Sequence, residues 1–337
     1  STDLWTFFEP LYNGYLYAGS TSSNQLKTGA TLNTWKISFS SNAAVLTSNA
    51  IASRNILQYN YNNGSPLFSC YTSGQTTPFL YKKVESTNDQ TSKVEAPSTQ
   101  IVASNISSTI LTSGSAVDVF KFKISDIGTA DELDTKVTSV KIKKSSGTAD
   151  WTDHIAGASL WDGASQITTG TVVITDSDIT FPITSGNLDI VNAGNNEITL
   201  KIWLNSANIV DNSTMVFTVS QTSHGFTADA TGSGFATDFG AGVTGNTMTV
   251  RVAATKLLFT TAPSATACPN TNLATPPVVK ATDANGMTDA DFVSQVTLTN
   301  SGSIGMNNYQ MDAVAGVANF SSLQFSTTGN VTLTATA

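Results

Sequence analysis

Apolar and polar residues alternate with a period of two along much of this chain, and no other feature limits its fold as strongly. Because successive side chains of a β-strand point to opposite faces of a sheet, this pattern predicts strands with one apolar face. The clearest alternating positions are Phe120, Phe122 and Ile124; Ile198, Leu200, Ile202 and Leu204; and Met248, Val250 and Val252. No segment of useful length has the period of a helix, so the sequence predicts an all-β fold.

The composition agrees with this prediction. Only 12% of the 337 residues are charged, and Ser, Thr, Asn and Gly occur in nearly every block of ten residues. Cytosolic enzymes with many helices carry more Glu, Lys, Arg and Leu. A chain of this length also exceeds what one ordinary core supports, so two or three domains are expected.

Strand and turn signals divide the chain into tandem β domains. We predict a partial β-trefoil or barrel-like domain over 1–84, a linker over 85–100, a large β-sandwich over 101–254 and an immunoglobulin-like sandwich over 255–337. Segment 85–100 contains only one large apolar residue, Val94, and therefore cannot bury enough surface to order itself. Strand signals recur at short intervals through both predicted sandwiches.

The trefoil prediction rests on two similar hairpin segments about 40 residues apart. Leu57 follows Leu16 by 41 positions, and Phe68 follows Leu26 by 42. A trefoil consists of three such lobes, and only two are found here. Either the barrel is open or the chain begins inside a domain, and we favour the second explanation.

The second of these hairpins, "NILQYNYNNGSPLFSCYTSG" at 55–74, is rich in aromatic residues. Asn63-Gly64 is a hairpin signal, since both residues tolerate positive φ. Tyr59, Tyr61 and Tyr71 then supply the wall and rim of a barrel. The other interpretation is a shallow aromatic and Asn-lined site that binds a glycan.

Two acidic segments are candidates for calcium binding. The segment "SDIGTADELDT" places Asp126, Asp131, Glu132 and Asp134 in one loop, and calcium prefers six to eight oxygen ligands. A solvated acidic loop would explain the same residues. A second, weaker candidate is "DANGMTDAD", with Asp283, Asn285, Asp289 and Asp291, which lacks the glutamate and spacing of an EF-hand. Asn285-Gly286 alone would account for a hairpin there.

Several functional classes are disfavoured. The net charge of −8 without a Lys/Arg cluster argues against nucleic acid as a partner. No apolar run is long enough to cross a bilayer, so no membrane insertion is expected. The two histidines, His154 and His224, lie far apart and fit no nucleophile or zinc spacing, so we expect no catalytic residues.

The two cysteines, Cys70 and Cys268, are too few for a disulfide framework. We expect two buried free thiols that behave as small apolar residues. A bridge between domains is the alternative, and it would need close and well-oriented Cβ atoms.

The segment "NILQYNYNNGSPLFSCYTSGQTTPFLYKK" resembles a β-domain of modular proteins exported by the type IX secretion system of gliding Gram-negative bacteria. In those proteins a pattern "RNxLxYN...FxCY...LYKK" recurs. It is matched here by Arg54, Asn55, Leu57, Tyr59, Asn60, Phe68, Cys70, Tyr71, Leu80, Tyr81, Lys82 and Lys83. The segments "VFKFKISDIGTADELDTKVTSVKI" and "TKLLFTTAPS" are similar to a sandwich unit and to bacterial Ig-like repeats of the same surface proteins. No type IX sorting domain is recognised in the sequence.

The resemblance implies a secreted or cell-surface modular protein, an adhesin or structural stalk that attaches to polysaccharide or to another cell-surface ligand. The type IX machinery would be its partner during export, and its location would be extracellular or on the outer cell surface. The main alternative is an accessory, non-catalytic region of a secreted nuclease, protease or glycosidase. A third hypothesis, a glycosidase using Asp126 and Asp131, is weaker because fold class alone does not supply a reaction.

Overall fold

The structure is a computed structural model that describes residues 4–40, 43–62, 64, 66–80, 88–128 and 131–337. It consists of antiparallel β-sheets, except for one parallel pair of strands, which confirms the predicted all-β fold. The chain divides into two compact units, Ser1–Glu85 and Ser86–Ala337. No helix among the described residues has the length and hydropathy that spanning a bilayer requires.

The N-terminal unit contains eight described strands. They are β1 (Leu4–Trp5), β2 (Phe8–Glu9), β3 (Gly14–Ala18), β4 (Leu26–Gly29), β5 (Trp35–Ser40), β6 (Ala43–Ser48), β7 (Ile56–Asn60) and β8 (Leu67–Tyr71). One sheet has the order β1-β5-β6-β7-β8 and the other β2-β3-β4. The core contains Trp35, Leu46 and Cys70 from the larger sheet and Ala18 from the smaller. The Trp35 indole N–H donates to the Leu16 carbonyl oxygen over 2.9 Å, which ties the sheets together.

This two-sheet arrangement differs from the partial β-trefoil expected for residues 1–84. Leu16 lies on β3 of the three-stranded sheet, whereas Leu57 lies on β7 of the five-stranded sheet. The residues spaced by 41 are therefore not equivalent positions of repeated lobes. Short turns join strands that are neighbours in sequence, and such hairpins occur in meanders as readily as in a trefoil.

The second unit begins with a large sandwich. Its strands are β9 (Lys93–Glu95), β10 (Ser104–Ser107), β11 (Val117–Ser125), β12 (Thr135–Ser146), β13 (Ile155–Asp162), β14 (Ser165–Gln166), β15 (Val173–Ile174), β16 (Asp178–Pro182), β17 (Asp189–Ile190), β18 (Asn195–Leu204), β19 (Thr214–Val219), β20 (Thr227–Ala228), β21 (Val243–Thr244) and β22 (Met248–Arg251). A 3-10 helix spans Ser113–Ser115, and a one-turn helix, α1, spans Trp151–His154.

Two sheets enclose the core of this sandwich. One has the order β14-β13-β18-β11-β9, and the other β10-β22-β19-β12-β16-β15, with β17 and β20 on β12 and β21 on β19. The alternating apolar residues of β11, β18 and β22 are buried in one cluster, as the period-two pattern predicts. Polar residues between them face outward, where Lys201 on β18 contacts the Trp161 ring at 4.4 Å.

The described part of the predicted linker, residues 88–100, belongs to this sandwich. Strand β9 pairs with β11, and Val94 is 1% exposed within the core. The Ser92 amide donates to the Gly234 carbonyl, and the Ala236 amide donates to the Ser92 carbonyl. The linker prediction considered only the number of apolar residues. Main-chain hydrogen bonds, together with one buried valine, hold this segment on the sandwich.

The C-terminal module of the second unit is a smaller sandwich. Its strands are β23 (Lys256–Thr261), β24 (Val278–Thr282), β25 (Gln295–Asn300), β26 (Met306–Asn307), β27 (Gln310–Asp312), β28 (Val317–Asn319), β29 (Gln324–Phe325) and β30 (Leu333–Thr336). They form sheets β23-β24-β28, β27-β25-β30 and β26-β29. Val279, Val296, Leu298 and Phe320 lie at the centre of its core. Contacts with the large sandwich make the two modules one compact unit.

Candidate functional site

The three tyrosines proposed for glycan binding do not share one exposed surface. Tyr59 packs on its cross-strand partner Phe68, with 5.0 Å between ring centroids. Tyr71 pairs with Ile56, which puts it on the opposite face of the hairpin, and only 6% of it is exposed. Tyr61, 62% exposed, is the one of the three that solvent reaches freely.

Other aromatic side chains of the N-terminal unit are exposed, and sequence reasoning missed them. They are Trp5, Phe8, Tyr12, Phe39 and Phe79, with Tyr12 72% exposed, and Phe68, which was expected in the wall or rim of the barrel, is also exposed. The segment "LWTFFEPLY" at 4–12 carries three of these rings. It contains only two-residue strands, which explains why so many of its rings remain outside. The sequence signal for this exposure was the crowding of aromatic residues next to Pro10, because proline limits strand pairing.

The four acidic residues of the first calcium candidate do not converge. Asp126 and Asp131 are each 1% exposed, whereas Glu132 sits at φ +56° in the turn. The Asp134 carboxylate accepts a hydrogen bond from the Asn192 amide, at 2.9 Å. Asp126 and Asp131 are therefore the two members of the set that lie buried in the same region, and Asp89, which the prediction omitted, joins them there.

Hydroxyl groups and amides surround these buried carboxylates. Thr135 Oγ1 donates to Asp126 Oδ2 at 2.8 Å. Ser233 Oγ lies 2.9 Å from Asp131 Oδ2, which also accepts from the Asp89 amide at 3.0 Å. Asp126 Oδ1 is buried without a hydrogen-bond partner among the described residues.

The two carboxyl groups differ in acidity because their surroundings differ. Burial raises the pKa of Asp126, and the charges of Asp89 and Asp131 add to this effect. The Asp89 amide, followed by the Leu133 amide and the Ser233 hydroxyl, lowers the pKa of Asp131 despite its burial. The site thus holds one carboxylate that several protein donors stabilise, Asp131, and one that lacks a full set of donors, Asp126.

The residues of the second calcium candidate also fall into two separate groups. Asp283 forms its own turn, accepting from the amides of Asn285 and Met287 at 2.9 Å each, and it accepts from the Ser108 hydroxyl at 2.8 Å. Asp289 and Asp291 instead join Asp211, a residue that the prediction omitted. Within the described residues, these three form the one acidic set whose oxygens lie within 4.8 Å of one another.

This acidic set connects the two modules of the second unit. Asp211 accepts from the Val252 amide at 2.7 Å and from the Ala290 amide at 2.9 Å. Asp291 pairs with the Arg251 guanidinium at 2.5 Å. Amide and guanidinium donors thus engage these carboxylates, so the set forms part of the junction between the two modules.

Both histidines form hydrogen bonds with main-chain groups. His154 Nδ1 donates to the Asp150 carbonyl at 2.7 Å, and its Nε2 accepts from the Val210 amide at 3.1 Å. His224 Nε2 donates to the Ala236 carbonyl at 2.9 Å, and its Nδ1 accepts from the Phe226 amide at 3.0 Å. Burial lowers the pKa of His224, whose ring stacks on Phe239. Among the described residues, neither ring is hydrogen-bonded to a hydroxyl and a carboxylate in the manner of a triad.

The two thiols are free, and their environments differ. Cys70 is buried as expected, and burial raises its pKa to about 11. Cys268 is exposed, which corrects the expectation of a second buried thiol. It lies in a turn outside the core of the C-terminal module, where little apolar packing is available.

No protein-family model, curated protein or solved structure matches the chain.

Proposed function

We propose that this chain is a non-catalytic segment of a large secreted or cell-surface modular protein, an adhesin or structural stalk that attaches to polysaccharide on a surface. The observation that carries the proposal is the set of exposed aromatic rings on the N-terminal unit, including Tyr12 and Tyr61. Sugar rings present apolar C–H faces that stack on such side chains, while Asn and Ser around them supply hydrogen bonds. An extracellular location and type IX export follow from the resemblance described above.

The chemistry of the buried polar groups also supports a non-catalytic role. Each histidine uses one ring nitrogen as a donor and the other as an acceptor, both toward the main chain. A general base needs a free ring nitrogen within reach of the proton that it removes. Among the described residues, the histidines therefore contribute to packing and hydrogen bonding inside the sandwich.

Binding of the full chain to a panel of immobilised bacterial and plant polysaccharides tests the proposal. We expect saturable retention on at least one polysaccharide, weakened about tenfold by Tyr12→Ala or Tyr61→Ala, because one lost aromatic anchor costs about 1.4 kcal/mol or more. Tyr309→Ala removes an exposed tyrosine of the C-terminal module and serves as the matched control. Equal binding by all variants, or no retention on any polysaccharide, would contradict the proposed attachment.

The same panel tests the absence of catalysis. Incubation of the chain with each polysaccharide should release no new reducing ends. Accumulation of such ends that grows with the concentration of the chain would show a glycosidase instead.

A further inference from the structure

We propose that Asp126 and Asp131 bind a divalent cation of the calcium type, which fastens residues 88–95 to the large sandwich. Residues 88–95 are called the strap below. The inference does not depend on the proposed attachment to polysaccharide. Of the four acidic residues expected from sequence, Asp126 and Asp131 remain as ligands, and Asp89, whose amide donates to Asp131, lies beside them.

One carboxylate oxygen of Asp126 has no partner among the described residues. Its Oδ2 accepts from Thr135, but its Oδ1 is buried without any partner among the described residues. A buried carboxylate oxygen without a donor costs free energy unless it meets a proton or a cation. Burial, together with the charges of Asp89 and Asp131, raises the pKa of Asp126, so an uncompensated charge on this carboxylate is costly.

Negative charge is in local excess around Asp126 and Asp131. Within the described residues, no lysine or arginine forms an ion pair with Asp89, Asp126 or Asp131, although ion pairs occur elsewhere on the same sandwich. The nearby Lys93 pairs with Glu95 at 2.8 Å. Desolvated like charges repel one another, and a bound cation would compensate all three carboxylates.

The available ligands are all oxygens, which suit a hard cation. Besides the two carboxylates, the hydroxyls of Ser92, Thr135 and Ser233 line the region. Calcium accepts six to eight oxygen ligands in flexible geometry, whereas magnesium demands a near-ideal octahedron. Amides and hydroxyls already orient Asp131, in the way that outer-shell donors orient metal ligands.

A hydrogen bond to one of the buried carboxylates helps to hold the strap on the sandwich. The Asp89 amide donates to Asp131 Oδ2, and the Gly234 amide donates to the Asp89 carbonyl. Gly128 permits the approach of Asp89, because a Cβ at that position would lie 1.7 Å from Asp89 Oδ2. A cation between Asp126 and Asp131 therefore holds the carboxylate to which the strap is bonded.

Calcium binding and melting of the full chain test the inference together. After treatment with EDTA, we expect equilibrium dialysis to find calcium bound, and scanning calorimetry to show the second unit melting about 5 °C or more higher in about 10 mM calcium. Asp126→Asn keeps the shape of the side chain and removes its charge. It should abolish this bound calcium and the shift, and in EDTA it should melt no lower than the original chain.

Two control variants make the outcome specific. Asp238→Asn removes an exposed carboxylate of the same sandwich, and Asp289→Asn removes one from the junction set. Both should keep the calcium-dependent shift. Equal melting in calcium and EDTA without bound calcium would mean that a proton neutralises Asp126. A shift that persists in Asp126→Asn would place the ion elsewhere, and either result overturns the inference.

Discussion

Several described residues that carry the family resemblance have structural roles in this chain. Asn55 donates from its side-chain amide to the carbonyls of Ser48 and Ile51, which closes the turn before β7. Leu57 and Cys70 are cross-strand partners in the core of the N-terminal unit. Such residues are expected wherever this hairpin occurs. The pattern therefore indicates the fold of the hairpin and does not identify a ligand.

His224 makes the second unit sensitive to pH. Its pKa in the folded protein lies below the ordinary 6.5, because burial disfavours the charged ring. Protonation would also place a hydrogen on Nδ1, which accepts from the Phe226 amide. The unfolded chain therefore binds the proton more readily than the folded one, and the stability present above about pH 6.5 is lost as pH falls below that value.

We predict that the free energy of unfolding of the second unit decreases between pH 7.5 and pH 5.5, by at most about 1.4 kcal/mol per pH unit from this group. Urea titrations at several pH values measure it. In His224→Gln, whose amide can replace both hydrogen bonds without titrating, the slope in this range should disappear. A slope that is equal in both proteins would assign the effect to another group.

At the level of elements, a substitution in β9 tests whether the strap is part of the sandwich. Val94 is its one buried side chain, so Val94→Ala should lower the free energy of unfolding of the second unit by about 2 kcal/mol. The exposed Val173 of β15 supplies the control, since Val173→Ala should change it by less than about 0.5 kcal/mol. Denaturant titration compares the two variants. Equal effects would indicate that segment 88–100 behaves as the flexible linker expected from sequence.

The strands were predictable where a long alternating pattern meets a two-sided core. From Phe120 to Ile124 in β11 and from Ile198 to Leu204 in β18, every second residue is apolar and buried, so period and packing agree. The short strands β1 and β9 were not predictable, because main-chain pairing with distant segments defines them. The candidate sites were predicted only in part, because the sequence shows neighbouring residues as clusters but does not show which distant residues join them. Asp126, Asp131, Asp289 and Asp291 were visible as clusters, whereas Asp89 and Asp211 come from other parts of the chain.

At the level of the whole second unit, buried polar contacts join two modules that the sequence predicted as separate domains. Asp211 of the large sandwich accepts from the amide of Ala290, and the Ser108 hydroxyl donates to Asp283, both across the junction. Met287 of the C-terminal module also packs against the core of the large sandwich. Because these contacts are buried, separating the modules would leave amides and carboxylates without partners.

We therefore predict that the two modules of the second unit melt in one calorimetric transition. Asp211→Asn should divide or broaden this transition and lower its midpoint, because the amide that replaces Oδ1 or Oδ2 cannot accept from both Val252 and Ala290. One unsatisfied buried donor costs about 1–3 kcal/mol. Asp312→Asn changes an exposed carboxylate of the C-terminal module and should leave the transition intact. If Asp211→Asn melts as the original chain does, the apolar contact at Met287 rather than the acidic set couples the modules.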